Sequence, residues 1–316
     1  MVGGEIPSLR IVFFGTPLFA VATLNALLAS RHPVAAVVTQ PDRPRGRGQR
    51  MAEPPVKQVA RAHHLPVLQP AKLNREFVEQ LAGFELDLGV VAAYGKILPT
   101  PVLSTPRLGM INVHASLLPR YRGAAPVQRA ILAGENESGV TIMRIVPELD
   151  AGPVLAAASC AIAPDATSAD VERELARIGA RLLVRTVEDI AAERAREIPQ
   201  RDADATYAPK IAKSEEVIDW SATAEAIHNK VRALHAFTSL HGTRVIILRT
   251  AIDSNPAPAR ASPGELVSFG ADDLRVVTGD GRAVKILQLQ LEGRRDQTAR
   301  EFLSGHPIAP GSRFGS

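Results

Sequence analysis

Leu9-Arg-Ile-Val-Phe-Phe-Gly-Thr-Pro-Leu-Phe-Ala-Val-Ala-Thr-Leu-Asn-Ala-Leu-Leu28 decides the fold class. Its first six residues form a short, mostly apolar run that Gly15-Thr16-Pro17 breaks, and beyond the break Leu18, Phe19, Val21, Leu24, Leu27 and Leu28 recur at helical spacing. A buried strand, a tight turn and a helix follow from that order. Working outward, short apolar runs at 34–38, 86–92, 110–113 and 139–145 predict further strands, and the patterns at 56–63 and 127–132 predict helices. Strands that alternate with helices indicate an α/β domain with a mostly parallel sheet and helices on both faces. Ligands of such sheets bind outside the carboxyl ends of the strands.

A chain of 316 residues exceeds the usual size of one domain, so two cores are expected. A helix at 167–192 is followed by a polar stretch with Pro199 and Pro209 and no sustained period. This predicts a first domain at 1–200, a linker at 201–213 and a second domain at 214–316. In the second, a helix at 222–237 precedes runs at 244–248, 264–269, 274–277 and 283–291 that alternate or stay apolar. Thr278-Gly-Asp-Gly281 between the last two is a hairpin signal, so a small antiparallel β-barrel is expected. The Pro/Ala-rich stretch at 255–263 reads as a turn.

With 46% apolar residues the chain suits a folded domain, and no stretch approaches the length that spans a bilayer, so a cytoplasmic protein is expected. Cys160 is the only cysteine, which excludes an intramolecular disulfide and a multi-cysteine zinc site; it reads as a small buried strand residue. His63 and His64 are neighbours on a predicted helix and point to different sides, so no metal is expected there. The balance of 37 basic against 33 acidic residues does not by itself argue for nucleic acid.

Within Ile111-Asn-Val-His-Ala-Ser-Leu-Leu-Pro119, the residues Asn112, His114 and Ser116 occupy alternate positions. Alternate side chains of an extended segment share a face, so an amide, an imidazole and a hydroxyl would stand together at a strand's carboxyl end. A solitary histidine is more often structural than catalytic. Asp150, in Leu-Asp-Ala-Gly-Pro after the next strand, taken by itself reads as a turn cap; if the two loops converge, amide, imidazole and carboxylate can handle an acyl transfer by stabilising an oxyanion and moving a proton. Gly-x-Ser-x-Gly is absent, which disfavours a hydrolase triad on Ser116.

The run Asn112-Val-His-Ala-Ser-Leu-Leu-Pro119, continued by Arg120-Tyr-Arg-Gly-Ala-Ala-Pro-Val-Gln128, resembles the folate-dependent formyltransferases, and among them those acting on methionyl-tRNA. Val12-Phe-Phe-Gly-Thr-Pro17, Thr39-Gln-Pro-Asp-Arg43, Pro55-Val-Lys57, Ala93-Tyr-Gly-Lys-Ile-Leu-Pro99, Gly139-Val-Thr-Ile-Met143, Leu149-Asp-Ala-Gly152 and Ile218-Asp-Trp220 extend the likeness in order along nearly the whole chain. The resemblance implies a Rossmann-like first domain and an OB-like barrel that supports tRNA. It implies that Asn112, His114 and Asp150 act on 10-formyltetrahydrofolate, with Ser116, Leu117, Leu118, Pro119, Tyr94, Gly95, Ile97 and Leu98 lining the folate pocket. Ile97, Leu117 and Leu118 would cover the face of a flat pteridine; plain core packing is the alternative for one of the two leucines. The partners implied are the folate and initiator methionyl-tRNA, with no membrane, and a monomer is expected.

Between the second strand and the helix at 56–63 lies Gln40-Pro-Asp-Arg-Pro-Arg-Gly-Arg-Gly-Gln-Arg-Met51, longer than such connections need. Proline and glycine prevent a helix and leave Arg43, Arg45, Arg47 and Arg50 able to reach phosphates or stack on unpaired bases. A solvated basic loop is the bland alternative. The resemblance implies an insertion here that contacts the tRNA acceptor stem, with Arg47 the leading contact. In the second domain Arg244, Lys285, Arg294, Arg295 and Arg300 are candidates for a tRNA-facing surface. The segment Arg232-Ala-Leu-His-Ala-Phe-Thr-Ser-Leu-His-Gly242 lacks the Pro/Trp-rich turn expected in the family.

Three rivals remain at this point. A formyltransferase for glycinamide ribonucleotide or an amino-sugar nucleotide would share the trio but has no evident need for both the arginine loop and the barrel. A dinucleotide oxidoreductase is disfavoured because Gly15-Thr-Pro-Leu-Phe-Ala20 is not Gly-x-Gly-x-x-Gly. A non-catalytic RNA-binding protein would not need the trio at all.

Overall fold

A computed structural model of the chain describes residues 6–45, 50–253, 257–258, 260–268, 272–306, 309 and 311–315. In chain order the elements are β1 (Ile11–Gly15), α1 (Leu18–Leu28), β2 (Val34–Val38), β3 (Arg43–Arg45), β4 (Arg50–Ala52), α2 (Pro55–Ala62), β5 (Val67–Leu68), α3 (Arg75–Ala82), β6 (Leu88–Ala92), α4 (Thr100–Leu103), β7 (Met110–His114), β8 (Arg122–Gly123), α5 (Pro126–Leu132), β9 (Glu137–Arg144), β10 (Val154–Ala161), α6 (Ser168–Ala191) and β11 (Tyr207–Ala208). Then follow α7 (Ala224–Ala233), β12 (Phe237–Leu240), β13 (Thr243–Ile252), β14 (Leu266–Ser268), β15 (Leu274–Val277), β16 (Ala283–Leu291), β17 (Asp296–Thr298) and α8 (Ala299–Gly305). They form two compact units: residues 1–126, 137–160 and 172–208, and residues 127–136, 161–171 and 209–316.

The first unit is built on a seven-stranded sheet of order β10-β9-β7-β6-β1-β2-β5. Every residue of β1 and of β6 is buried, which requires both faces of the sheet to be covered, as in parallel α/β sheets. Strands β5, β2, β1, β6 and β7 pair in parallel, whereas β9 runs against β7, so the sheet is mixed beyond β7. The chain order reverses beside β1, and at that point the Thr16 hydroxyl donates to the Tyr94 carbonyl at 3.0 Å. Gly15 is needed there: a Cβ would fall 2.7 Å from that of Ala20 and 3.0 Å from the Ala92 carbonyl.

Two expectations change within this unit. The stretch read as a linker begins later: Ile198 bridges Val154, and Tyr207 and Ala208 pair with Arg122 and Gly123, so the chain up to Ala208 belongs to the first unit. Such short pairings leave no periodicity in the sequence. Cys160 is half-buried, because it lies on the edge strand β10, where alternate residues face solvent.

The second unit carries a six-stranded antiparallel sheet in which β12, β13, β16, β15 and β14 are neighbours and β17 pairs with β16. This is the predicted C-terminal β architecture, with an antiparallel half-barrel form. Its core gathers Trp220, Ile227, Val231, Val245, Ile247, Leu289 and Phe302, so α7 and α8 seal the sheet. Thr278-Gly-Asp-Gly281 makes the β15–β16 turn, with Gly281 at φ +77. The predicted helix at 222–237 stops at Ala233, and Phe237 opens β12 instead. His241 and Gly242, both at positive φ, close the β12–β13 hairpin.

Candidate active site

Asn112 and His114 sit on β7, whose Asn112 is in register with Val91 of β6 and whose His114 faces Thr141 of β9. Because β9 runs against β7, the chain after Arg144 must turn back to bring Asp150 to His114. It does so tightly. The Arg144 N–H donates to the Pro153 carbonyl at 2.9 Å, and a Cβ at Gly152 would lie 2.0 Å from the Arg144 carbonyl oxygen. Asp150 itself adopts φ +47, a left-handed conformation that costs a non-glycine residue roughly 1–2 kcal/mol.

The loops do converge. His114 Nδ1 lies 3.7 Å from Asp150 Oδ2, with the imidazole 6% and the carboxylate 17% exposed. Nε2 lies 3.0 Å from the Tyr121 carbonyl oxygen, which can only accept, so Nε2 carries a hydrogen and Nδ1 is turned to the carboxylate. At 3.7 Å the two groups are in contact but beyond hydrogen-bond distance, which leaves Nδ1 uncommitted. The Gly123 N–H donates to Asp150 Oδ2 at 2.8 Å. Gln200 Nε2 donates to the carbonyls of Asp150 and Gly152 at 2.8 and 2.7 Å, while its Oε1 accepts from Arg122 Nε and Nη2 at 3.1 and 2.9 Å. Half-buried Asn112 makes no side-chain hydrogen bond among the described residues, so its amide is open to a ligand.

The predicted folate-contacting residues divide. Ser116 is buried beyond the end of β7, and its hydroxyl donates to the Arg120 carbonyl at 2.6 Å, closing the turn at 116–120. Thr141 Oγ1 donates to the Ser116 carbonyl and accepts from the Leu118 N–H, fixing that turn to β9. Leu117 packs over Gly139, where a Cβ would fall 2.4 Å from its Cδ2, so of the two leucines it takes the packing role. Leu118 and Pro119 are half-buried.

In the loop after β6, Tyr94 is a core residue. Its ring meets Phe14 edge-on, its hydroxyl has no partner among the described residues, and burial pushes the phenol up to about 12. Leu98 joins the same core cluster. Gly95, at φ +85 and facing open space, and Ile97, 89% exposed, are what this loop offers a ligand.

Four supporting groups were not singled out from the sequence: the Tyr121 carbonyl, the Gly123 N–H, Arg122 and Gln200. Two are backbone atoms, and Gln200 is 78 residues from Arg122. The quoted Arg120-Tyr-Arg-Gly run contains three of the four, which is the one hint the sequence held.

The described part of the arginine stretch forms an antiparallel strand pair, the arginine hairpin, with Arg43 opposite Ala52 and Arg45 opposite Arg50. Its base is anchored: Lys57 Nζ donates to both Asp42 carboxylate oxygens at 2.9 and 2.7 Å, and Gln69 Nε2 bonds Asp42 and the Gln40 carbonyl. The Lys57 hydrogen bonds, then that of Gln69, hold the Asp42 carboxyl below its usual range. Arg43 and Arg50 are exposed and form no ion pair among the described residues. Arg47 and the Arg45 side chain lie outside what is described.

In the second unit, Lys285 lies 3.3 Å from Asp273, Arg295 2.7 Å from Glu301 and Arg300 3.5 Å from Asp272, while Arg244 covers the Phe237 ring. Arg294 has no side-chain partner among the described residues. Exposed pairs of this kind are worth about 0–1 kcal/mol, so they do not hold the cations back from a phosphate. No group of three or more metal-ligating side chains, and no helix long and apolar enough to cross a membrane, occurs among the described residues.

Comparison with known proteins matches residues 9–187 to the formyl transferase family and residues 210–307 to the formyl transferase C-terminal domain. The methionyl-tRNA formyltransferase of Methylococcus capsulatus is 50% identical over 313 residues, covering 98% of this chain and 100% of the relative. The chain belongs to the methionyl-tRNA formyltransferase family. The family's Moorella thermoacetica member is 45% identical over 97% of this chain and 99% of its own length.

Solved structures show the same fold at lower identity. An N-formyltransferase from Helicobacter canadensis, in complex with folinic acid and dTDP-3-aminofucose, aligns with a TM-score of 0.67 at 18% identity, over 88% of this chain and 98% of that one. HypX from Aquifex aeolicus, in complex with tetrahydrofolic acid, aligns at 0.63 and 17% identity over 94% of this chain and 47% of that longer one. Membership of the methionyl-tRNA formyltransferase family removes the oxidoreductase and the non-catalytic RNA-binding protein as readings.

Proposed function

We propose that the chain transfers the formyl group of 10-formyltetrahydrofolate to the free amino group of initiator methionyl-tRNA. The observation that carries this reading is the 3.7 Å approach of Asp150 to His114 in a family member, on the strand that also bears Asn112. As the amine attacks the formyl carbon, the Asn112 amide and a doubly protonated His114 stabilise the developing oxyanion. Tyr121 holds the Nε2 hydrogen, so Nδ1–H, beside Asp150, is the imidazole donor left for the reacting groups. The Asp150 carboxylate balances the imidazolium charge and accepts the amine proton. The C–N bond to the folate then breaks, and its nitrogen leaves protonated. The proton that Asp150 took from the amine is returned to that nitrogen, which restores the carboxylate.

The first unit serves as the catalytic part and the second as the tRNA-supporting part. Ser116 to Pro119 and the loop at 94–98 bound the folate site, with backbone groups reading the pteridine edge and Ile97 and Leu118 against its face. The arginine hairpin, through Arg43, Arg45, Arg47 and Arg50, holds the acceptor end. A cytoplasmic, monomeric enzyme fits this role. Incubation with 10-formyltetrahydrofolate and charged initiator tRNA should yield formylmethionyl-tRNA. Formylation of glycinamide ribonucleotide or an amino-sugar nucleotide in its place, or no transfer at all, would overturn the reading.

A further inference from the structure

Residues 121–123 each hold a different part of the site. The Tyr121 carbonyl fixes His114 Nε2, the Arg122 side chain grips Gln200, and the Gly123 N–H fixes the Asp150 carboxylate. Arg122 is 4% exposed, yet it is not spent on a buried carboxylate. Besides Gln200 its guanidinium meets Asp202, 84% exposed, at 2.9 Å.

Gln200 stands between this arginine and the Asp150 loop with both donors and both acceptor positions used. Its amide orientation is dictated by its partners: the guanidinium only donates, and the carbonyls of Asp150 and Gly152 only accept.

We infer that Arg122 and Gln200 are positioning residues that hold the backbone of the Asp150 loop in the left-handed bend from which the carboxylate reaches His114. The inference rests on the reading of Asp150 as catalytic. Gln200 does not touch the carboxylate. It acts on the main chain on either side of Ala151, and the Gly123 N–H acts on the side chain, so the two ends of Asp150 are fixed independently from neighbouring residues of β8. Losing the Gln200 bonds leaves two carbonyls unpaired and allows the left-handed residue to relax, which lengthens the contact between His114 and Asp150 without touching either substrate.

The test compares kcat, both KM values and the thermal midpoint for the full-length enzyme and its Gln200→Glu, Gln200→Met and Arg122→Lys variants, each also made on Asp150→Asn. Gln200→Glu keeps acceptors for Arg122 and sets a carboxylate against the two carbonyls. The inference expects Gln200→Glu to lower kcat by about tenfold or more with each KM changed by less than about threefold. It expects Gln200→Glu to add less than about twofold to the loss caused by Asp150→Asn, because a residue acting through Asp150 has nothing left to position. Arg122→Lys should show the same pattern in weaker form, and Gln200→Met carries the comparison if the glutamate variant does not fold. A kcat within about twofold of the parent in the folded Gln200 variants, or losses that multiply in the double variant, overturns the inference. Slow Asp150→Asn with normal Gln200 variants would remove the positioning role alone; full turnover by Asp150→Asn would remove the catalytic reading and this inference with it.

Discussion

The pocket around His114 and the arginine hairpin are stabilised in opposite ways. His114 and Asp150 are almost enclosed, and the imidazole, the carboxylate and the aspartate backbone are each tied to a fixed donor or acceptor. The hairpin is tied at its base, through Asp42, Lys57 and Gln69, while Arg43 and Arg50 stand exposed. Chemistry on a formyl carbon rewards groups that are already in place and pay no reorganisation as charge develops. Holding a phosphate backbone rewards reach and charge, because the attraction is long-ranged and indifferent to fine geometry. A mutation in the pocket should therefore act on turnover, and one in the hairpin on tRNA binding and its salt dependence.

The largest expected effect comes from breaking the pocket's carboxylate. Asp150→Asn removes the proton acceptor and the partner of the imidazolium, and steady-state formylation should fall by about 10²–10⁴ with little change in either KM. A loss confined to KM would move Asp150 to the side of the hairpin. Gly152→Ala comes next. Its Cβ would meet the Arg144 carbonyl at 2.0 Å, so the loop must shift, carrying Asp150 away from His114. Turnover should drop by about tenfold or more, alongside a lowered thermal midpoint of the size usual for a backbone clash of about 1–3 kcal/mol.

Removing the hairpin's charge has a smaller and different effect. Replacing Arg45, Arg47 and Arg50 with alanine should raise the KM for tRNA and reduce the slope of log affinity against log salt by about 2–3, with folate binding intact. A matching loss of folate affinity would erase the distinction between the two regions. The smallest effect concerns acid stability in the second unit. Arg129, with the Ala212 N–H, holds Glu215 at about 2 against an ordinary 4.5, and the Thr298 N–H, with Arg295, does the same for Glu301. A depressed carboxylate stabilises the fold above its unfolded pKa and loses that contribution as pH falls through the folded one. The thermal midpoint should therefore decline between pH 4.5 and about 2, and less steeply in Glu215→Gln; identical profiles would mean that this exposed pair contributes nothing.

How much of this was legible in the sequence follows from the same contrast. Ile11–Gly15 and Leu88–Ala92 announce themselves as apolar runs because both faces are buried, and the 2-residue spacing of Asn112 and His114 survives because β7 is extended through both. Tyr94 looks like a ligand-facing aromatic in sequence, but its ring fills the core beside Phe14, and a motif cannot say which way a side chain points at a strand's end. Gln200 was hidden in the polar stretch that follows α6, since pairings as short as Tyr207–Ala208 against Arg122–Gly123 leave no period to detect. The backbone groups of Tyr121 and Gly123 are invisible for a simpler reason: every residue has a carbonyl, and nearly every one an N–H.

Asn112→Ala examined in single turnover, with both substrates saturating, is the most direct trial of a preorganised pocket. Its amide has no protein partner among the described residues, so removing it should leave the fold and folate binding unchanged. The account predicts a rate of formyl transfer lower by about 10²–10³, the usual contribution of one oxyanion donor. A rate close to that of the parent enzyme would contradict it.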